Sequence, residues 1–264
     1  MGYNTFLFSV EDGVATIRLN RPDTLNSLTF EVYTELARAF AELQDDTSVR
    51  TVVLTGEGRG FCSGGSVTEI IEKLLERDIK EKYRFTRLTC DVVKNMRRLR
   101  KPILAAVNGV AAGAGAMLAL ASDIRICSEQ ARFAFLFVKV GLAGTDMGAA
   151  WLLPRVAGAG RATELLMTGE TIDAKEAYRI GLANRVVPAE ELMSQTVALA
   201  KKLADGPALA LGLTKELLNN EASMSLEEAL EAEAQAQCWL MEAPEFREGY
   251  RAFIEKRPPS FGKL

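Results

Sequence analysis

Twice in this chain a short, wholly apolar run leads into a glycine-rich loop and then into a helical pattern. The first run is Val52-Val53-Leu54, which ends at Gly56 and precedes Gly58-Arg59-Gly60-Phe61-Cys62-Ser63-Gly64-Gly65. The second, Ile103 to Val107, precedes Asn108-Gly109-Val110-Ala111-Ala112-Gly113-Ala114-Gly115-Ala116. A strand with no polar face must be covered on both sides, and parallel sheets with helical crossovers provide that cover. The pattern therefore predicts an α/β fold. Each loop can be read as a tight turn where packing excludes side chains. Each can equally present backbone N–H groups at a helix N-terminus, two of them aimed at one oxygen. Neither loop matches the dinucleotide fingerprint or the P-loop.

The remaining pattern extends this frame. Phe6 to Val10 and Val14 to Leu19 read as strands joined by Glu11-Asp12-Gly13, and Arg21-Pro22-Asp23 reads as a loop. Val32, Leu36, Phe40 and Leu43 recur at helical spacing behind a candidate N-cap, Thr29. A charged helical stretch is expected from about Thr68 to Arg100, and a strand at Asp123 to Ile126. Helices are expected at Gly148 to Val156, Arg161 to Met167 and Ala174 to Ile180. Beyond Pro188 the chain reads as helix throughout: Met193 to Leu203, Ala208 to Leu218, Ser225 to Leu240 and Pro244 to Glu255. This divides it into a core, 1–195, and a helical segment, 196–264.

The 264 residues include no histidine. Ser-His-Asp and Cys-His triads are therefore excluded, with most catalytic zinc sites and most imidazole bases. Proton transfer must fall to Asp, Glu, Lys, Tyr, Cys or water. A net charge of −3 argues against a polyanion-binding surface, so no nucleic acid partner is expected. Cys62, Cys90, Cys127 and Cys238 match no metal or redox spacing, and no metal is expected. They read as reduced thiols of a cytoplasmic protein. The start shows no secretory pattern, and the apolar stretch from Ala105 to Ala121 is too broken by Asn108 and glycines to cross a membrane.

Arg59 to Gly65, with Asn108 to Gly115 about fifty residues on, resembles the crotonase (enoyl-CoA hydratase/isomerase) superfamily. The resemblance continues through Leu118-Ala119-Leu120-Ala121-Ser122-Asp123, Trp151-Leu152-Leu153-Pro154-Arg155, Glu164 to Gly169, Arg185-Val186-Val187-Pro188, and Arg247-Glu248-Gly249 with Ala252-Phe253. It covers nearly the whole chain in order. It implies a crotonase-like spiral of ββα units with a helical C-terminal trimerisation segment, and a homotrimer or homohexamer. It implies an acyl-CoA substrate, with coenzyme A present as part of the thioester and no prosthetic group. By the same resemblance, the backbone N–H groups of Gly65 and Ala114 form the oxyanion hole. Coenzyme A lies along Thr24, Leu25, Ser63, Gly65, Ser66 and Val67, and Phe253 and Lys256 reach its adenine and phosphates, often in a neighbouring subunit. Lys256 reads equally well as a solvated charge at a helix end. The chain departs from the pattern at Ser66, where relatives commonly carry Asp.

Hydratases of this superfamily hold one water with two glutamates. The matching positions here are Met117 and Phe137, which disfavours hydration by that mechanism. A carboxylate does occur at Asp146, ahead of the Trp151–Arg155 helix, where an Asp suits an N-cap. An Asp eight residues before Pro154 also resembles the catalytic Asp of the ring-1,2-epoxyphenylacetyl-CoA and dienoyl-CoA isomerases. It resembles too the nucleophilic Asp of 4-chlorobenzoyl-CoA dehalogenases, but that chemistry uses a histidine. The resulting expectation is an isomerase in which Asp146 moves a proton between two carbons of an enolate. Met117, Phe133, Phe135, Phe137, Met147 and Trp151 would form an apolar lining or simply core. Two alternatives stand beside it: a hydratase with another water-activating arrangement, and a CoA-thioester-binding protein without catalysis.

Overall fold

The computed structural model describes residues 2–261. Strands β1 (Phe6–Glu11) and β2 (Val14–Leu19) form an antiparallel hairpin. Its turn, Asp12-Gly13, has positive φ at both residues, as the right-handed twist of two-residue hairpins requires. Helix α1 (Phe30–Glu42) starts where the Thr29 side chain accepts the Val32 N–H, and it buries Val32, Tyr33, Leu36 and Phe40. The chain then repeats one unit. β3 (Thr51–Gly56) is followed by β4 (Gly60–Cys62) and helices α2 (Glu72–Leu75) and α3 (Ile79–Arg98). β5 (Ile103–Val107) is followed by β6 (Val110–Ala112) and α4 (Ala114–Ala121), and β7 (Ile124–Ser128) by β8 (Arg132–Ala134) and further helical segments.

The first strand of each unit enters one sheet and the second enters another, so the chain winds as a spiral. After α5 (Ala149–Ala157) and α6 (Ala159–Thr168), β9 (Thr171–Asp173) closes one edge of the smaller sheet, and after α7 (Ala174–Arg179), β10 (Arg185–Val187) closes one edge of the larger. The larger sheet has the order β1-β2-β3-β5-β7-β10 and the smaller β4-β6-β8-β9. All pairings are parallel except β1–β2 and β8–β9. β3 and β5 are buried along their whole length, as continuous apolar runs require.

Two local expectations change. Gly60–Cys62 and Val110–Ala112, read from sequence as parts of loops, are strands. Glycine and three-residue length hide such strands from any periodicity. The stretch from Thr68 to Arg100 is not one helix. A π-helical turn (Val67–Ile71) and α2 precede a break, after which Asp78 and Glu81 form a capping box that opens α3.

Helices α8 (Leu192–Ala204), α9 (Ala208–Asn220), α10 (Leu226–Glu242) and α11 (Pro244–Glu255) complete the chain. Leu192, Ala200 and Ala204 of α8 pack on Val14, Val53, Leu104, Ala106 and Ile126 of the larger sheet. A division at 195/196 therefore crosses a helix that covers that sheet. A buried ion pair ties α9 to the core. The Lys215 ammonium donates to the Met96 and Lys101 carbonyls (3.0 and 3.1 Å) and lies 2.7 Å from the Asp123 carboxylate. Burial lowers the Lys215 pKa, against the pull of Asp123. Lys215→Met keeps the stem and orphans these acceptors, so we expect a loss of about 3 kcal/mol. Urea titration reads this as a lower midpoint at unchanged slope. An unchanged midpoint would mean that Arg97, also paired with Asp123 at 3.1 Å, suffices.

Candidate active site

The two glycine loops meet because the second strands of adjacent turns of the spiral pair side by side, with a register shift between Gly60 and Cys62. β4 lies beside β6, and a Cβ on Gly115 would fall 2.0 Å from the Cys62 carbonyl oxygen. Only a residue without a side chain lets α4 approach β4 so closely. At Gly64, φ is +96°, and a Cβ there would lie 2.8 Å from the Ala112 carbonyl oxygen and 3.4 Å from the Ala114 nitrogen. These contacts bring the stretch Gly64–Gly65 against the start of α4.

Both candidate donors are left free by their backbone. The Leu28 N–H donates to the Gly64 carbonyl and the Ser66 N–H donates to the Leu28 carbonyl, both at 2.8 Å. This bridge uses the groups on either side of Gly65 and leaves its own N–H without an acceptor among the described residues. Ala114 is the first residue of α4, where the N–H has no partner inside the helix, and Gly113 before it supplies no side-chain cap. Unsatisfied N–H groups at a helix start favour an anion or a developing oxyanion.

The residues expected along coenzyme A gather at one edge. Thr24 ends a short 3-10 turn, and Leu25 follows in the left-handed region (φ 52°). The Ser63 hydroxyl donates to the Thr24 carbonyl and the Ser63 N–H to the Leu25 carbonyl, both at 2.9 Å. Ser66 is buried and caps the π-helical turn by accepting the Glu69 N–H, while Val67 stands 71% exposed. Glu69 also pairs with Arg21, which ties the turn to the Thr24 loop. Phe253 and Lys256 are not part of this edge within the chain. They sit on and just after α11, where Phe253 is 82% exposed beside an apolar cavity of about 450 Å³ between the C-terminal helices.

Asp146 opens a 3-10 turn, Asp146–Gly148, in which Met147 has φ 51° and Gly148 φ 86°. Its Oδ1 accepts the Met147 N–H at 2.8 Å. It is therefore not the N-cap of α5: that position is Gly148, and no side chain caps the helix. The Asp146 carboxyl is half-buried, and desolvation raises its pKa against the single Met147 N–H. Its charge acts on two groups that the sequence did not single out. After burial, Asp146 helps push the Cys90 thiol up, and after burial and Cys62 it helps push the Tyr33 phenol up. The Tyr33 Oη lies 3.9 Å from the Cβ position of Gly65, so Tyr33 links the surroundings of Asp146 to the glycine loop. Tyr33 lies at helical spacing among the core residues of α1, and nothing local in the sequence separates it from them.

Met117, Phe133, Phe135, Phe137 and Met147 are buried in the main core. Trp151 is not part of that core. It is 39% exposed, with the Arg155 guanidinium 3.9 Å above its ring. Position 151 falls on the outward face of the amphipathic α5, which shows Ala149, Leu152 and Leu153 to the core.

Comparison with known proteins adds the chemistry. The family described as Enoyl-CoA hydratase/isomerase matches residues 9–263. The chain is 38% identical over 262 residues to the 1,2-epoxyphenylacetyl-CoA isomerase of Escherichia coli (strain K12), covering 97% of each. It is 35% identical over 260 residues to the short-chain-enoyl-CoA hydratase of Clostridium acetobutylicum, again covering 97% of each. A crystal structure from Streptomyces coelicolor A3(2), with the provisional name enoyl-CoA hydratase, superimposes with a TM-score of 0.97 at 50% identity, over 99% of this chain and 95% of that one. With two sheets wound from ββα units and a match along almost its whole length, the chain belongs to the enoyl-CoA hydratase/isomerase family and has the crotonase fold.

Proposed function

We propose that this enzyme moves the double bond of an enoyl-CoA or ring-acyl-CoA thioester, with Asp146 as the single acid and base. The Asp146 carboxylate takes a proton from a carbon conjugated to the thioester. The electron pair passes to the thioester oxygen, where the Gly65 and Ala114 N–H groups hold the enolate. Asp146 then returns the proton to a different carbon, the enolate collapses, and the double bond has moved. The observation that carries this reading is a desolvated, raised carboxyl at Asp146, held by one backbone N–H. A base of raised pKa is a stronger base at working pH. The two positions at which hydratases keep glutamates are the buried apolar side chains of Met117 and Phe137.

The hydratase names among the relatives favour a second reading, and a paired assay separates the two. One cuvette holds crotonyl-CoA and reports loss of conjugation through hydration. The other holds a 3-enoyl-CoA and reports gain of conjugation. Gain without loss is expected. Rapid loss in the first cuvette would overturn the isomerase reading.

The same reading includes a trimer. Trp239, Phe246, Tyr250, Phe253 and Ile254 on α10 and α11 are each more than half exposed, an apolar face that a second and third copy would cover. Such packing would bring Phe253 and Lys256 to a neighbour's coenzyme A.

A further inference from the structure

Tyr33 is 3% exposed, yet its O–H meets no acceptor among the described residues. Its oxygen is not among the side-chain atoms buried without a partner, so the phenol tip still reaches open space and has a proton to donate; a hydroxyl held so deep calls for an acceptor. Its position points to one. Tyr33 Oη and the Ile70 Cγ2 each lie 3.9 Å from the Cβ position of Gly65, which is ordinary van der Waals spacing. Gly65 does not have a positive φ. Neither strain nor a clash therefore demands glycine there, unlike at Gly64 or Gly115. What glycine leaves is a gap beside a free N–H, walled by a buried phenol.

We propose that Tyr33 is a third donor to the thioester oxygen, and that residue 65 is glycine because a methyl group would stand between the phenol and that oxygen. This rests on the reading of Gly65 and Ala114 as the oxyanion cradle. As the thioester carbonyl becomes an enolate its oxygen gains charge, and a donor already fixed in a dry site strengthens its hydrogen bond without reorganising. The ring is held for this purpose. Tyr33 packs edge-to-face on Phe85 of α3 (centroids 5.5 Å apart), which packs in turn on Phe30 (5.0 Å). Burial, Cys62 and Asp146 all push the phenol pKa up, so Tyr33 remains a donor and does not compete with Asp146 as a base.

The test uses Tyr33→Phe and Gly65→Ala in the full-length enzyme. Tyr33→Phe removes only an oxygen that has no hydrogen-bond partner among the described residues, and Gly65→Ala keeps the N–H. Both are expected to fold with thermal midpoints near wild type. In the isomerase assay each is expected to lower kcat by about 10²-fold with little change in KM. The double variant is expected to be no slower than the worse single one, because both remove the same hydrogen bond. An additive double variant would overturn the proposal.

An infrared measurement reads the bond without turnover. Butyryl-CoA labelled with ¹³C at the thioester carbonyl cannot isomerise, and its carbonyl stretch should move to lower wavenumber when bound. Part of that shift should disappear in both variants. Identical spectra for wild type and Tyr33→Phe would overturn the role of Tyr33, and no shift in wild type would overturn the cradle with it. If the isomerase assay is negative while the Tyr33-dependent shift is present, the isomerase reading fails and the third donor stands.

Discussion

Asp146→Asn is expected to lower kcat by about 10³-fold while KM stays near the wild-type value. The amide keeps the volume of the carboxylate and can still accept the Met147 N–H, but it cannot take a proton from carbon. The pH profile of the wild-type enzyme carries the same signature. The base must be ionised, and desolvation raises its pKa, so the acid limb of kcat/KM should lie above the 3.8 of an ordinary Asp. Stability should move the opposite way. A carboxyl whose folded pKa is raised stabilises the fold most below its unfolded pKa and loses that contribution as pH rises through the folded one. At neutral pH the ionised Asp146 therefore works against folding, and Asp146→Asn should melt at the wild-type temperature or above it. The gap should close as pH falls. A variant within tenfold of wild-type kcat would remove Asp146 from the reaction. A strongly lowered melting point would instead give it a structural role.

Gly115→Ala is expected to destabilise by about 3 kcal/mol, a fall of roughly 10 °C in the thermal midpoint. In an exposed helix the same change would stabilise, because alanine has the higher helix propensity. Here the methyl carbon would lie 2.0 Å from the Cys62 carbonyl oxygen and 2.7 Å from its carbon, both of them backbone. The strand or the helix must move, and these segments lead to Gly65 and Ala114. Activity should therefore fall further than stability alone explains. Gly160→Ala is the control. It is the second residue of α6, and among the described residues nothing beyond its neighbours and its own helix backbone lies within 4 Å of its Cβ position, so the change should be neutral or slightly stabilising. Equal effects at the two positions would show that close packing of α4 on β4 is not what holds the loops together.

Much of the architecture was legible because it rests on long signals. The apolar runs at β3 and β5, the helical spacing of α1 and the terminal helices are strong patterns, and the absence of histidine removed whole classes of chemistry. What escaped notice depends on contacts between turns of the spiral. Gly60–Cys62 and Val110–Ala112 become strands because β4, β6 and β8 lie side by side, which no local window contains. The break at Asp78 was signalled by Glu81 three residues on, but the charged sequence around it masked the capping box. At the site, the glycine loops and Asp146 are visible as motifs. Tyr33 and Cys90 are not, since one looks like any core residue of α1 and the other like any small residue on α3. That Trp151 is exposed was not legible either, since a motif match fixes a residue's order in the chain and says little about which face of its helix looks outward.

The stacking of Gly115 on Cys62 divides the site into a fixed part and a replaceable one. The spacing between the two N–H donors follows from how adjacent turns of the spiral register, so it is inherited with the fold and can drift only if the sheets do. The proposed base, Asp146, arrives separately, on a short turn with two residues in the left-handed region, and the other walls come from helices with their own tolerance for change. A scaffold built this way can exchange one proton-handling side chain for another, at 117, 137 or 146, without re-deriving the means of stabilising an enolate. Hydratases and isomerases can then be near neighbours in sequence space, and designing a new activity on this chain becomes a question of where to mount a carboxylate.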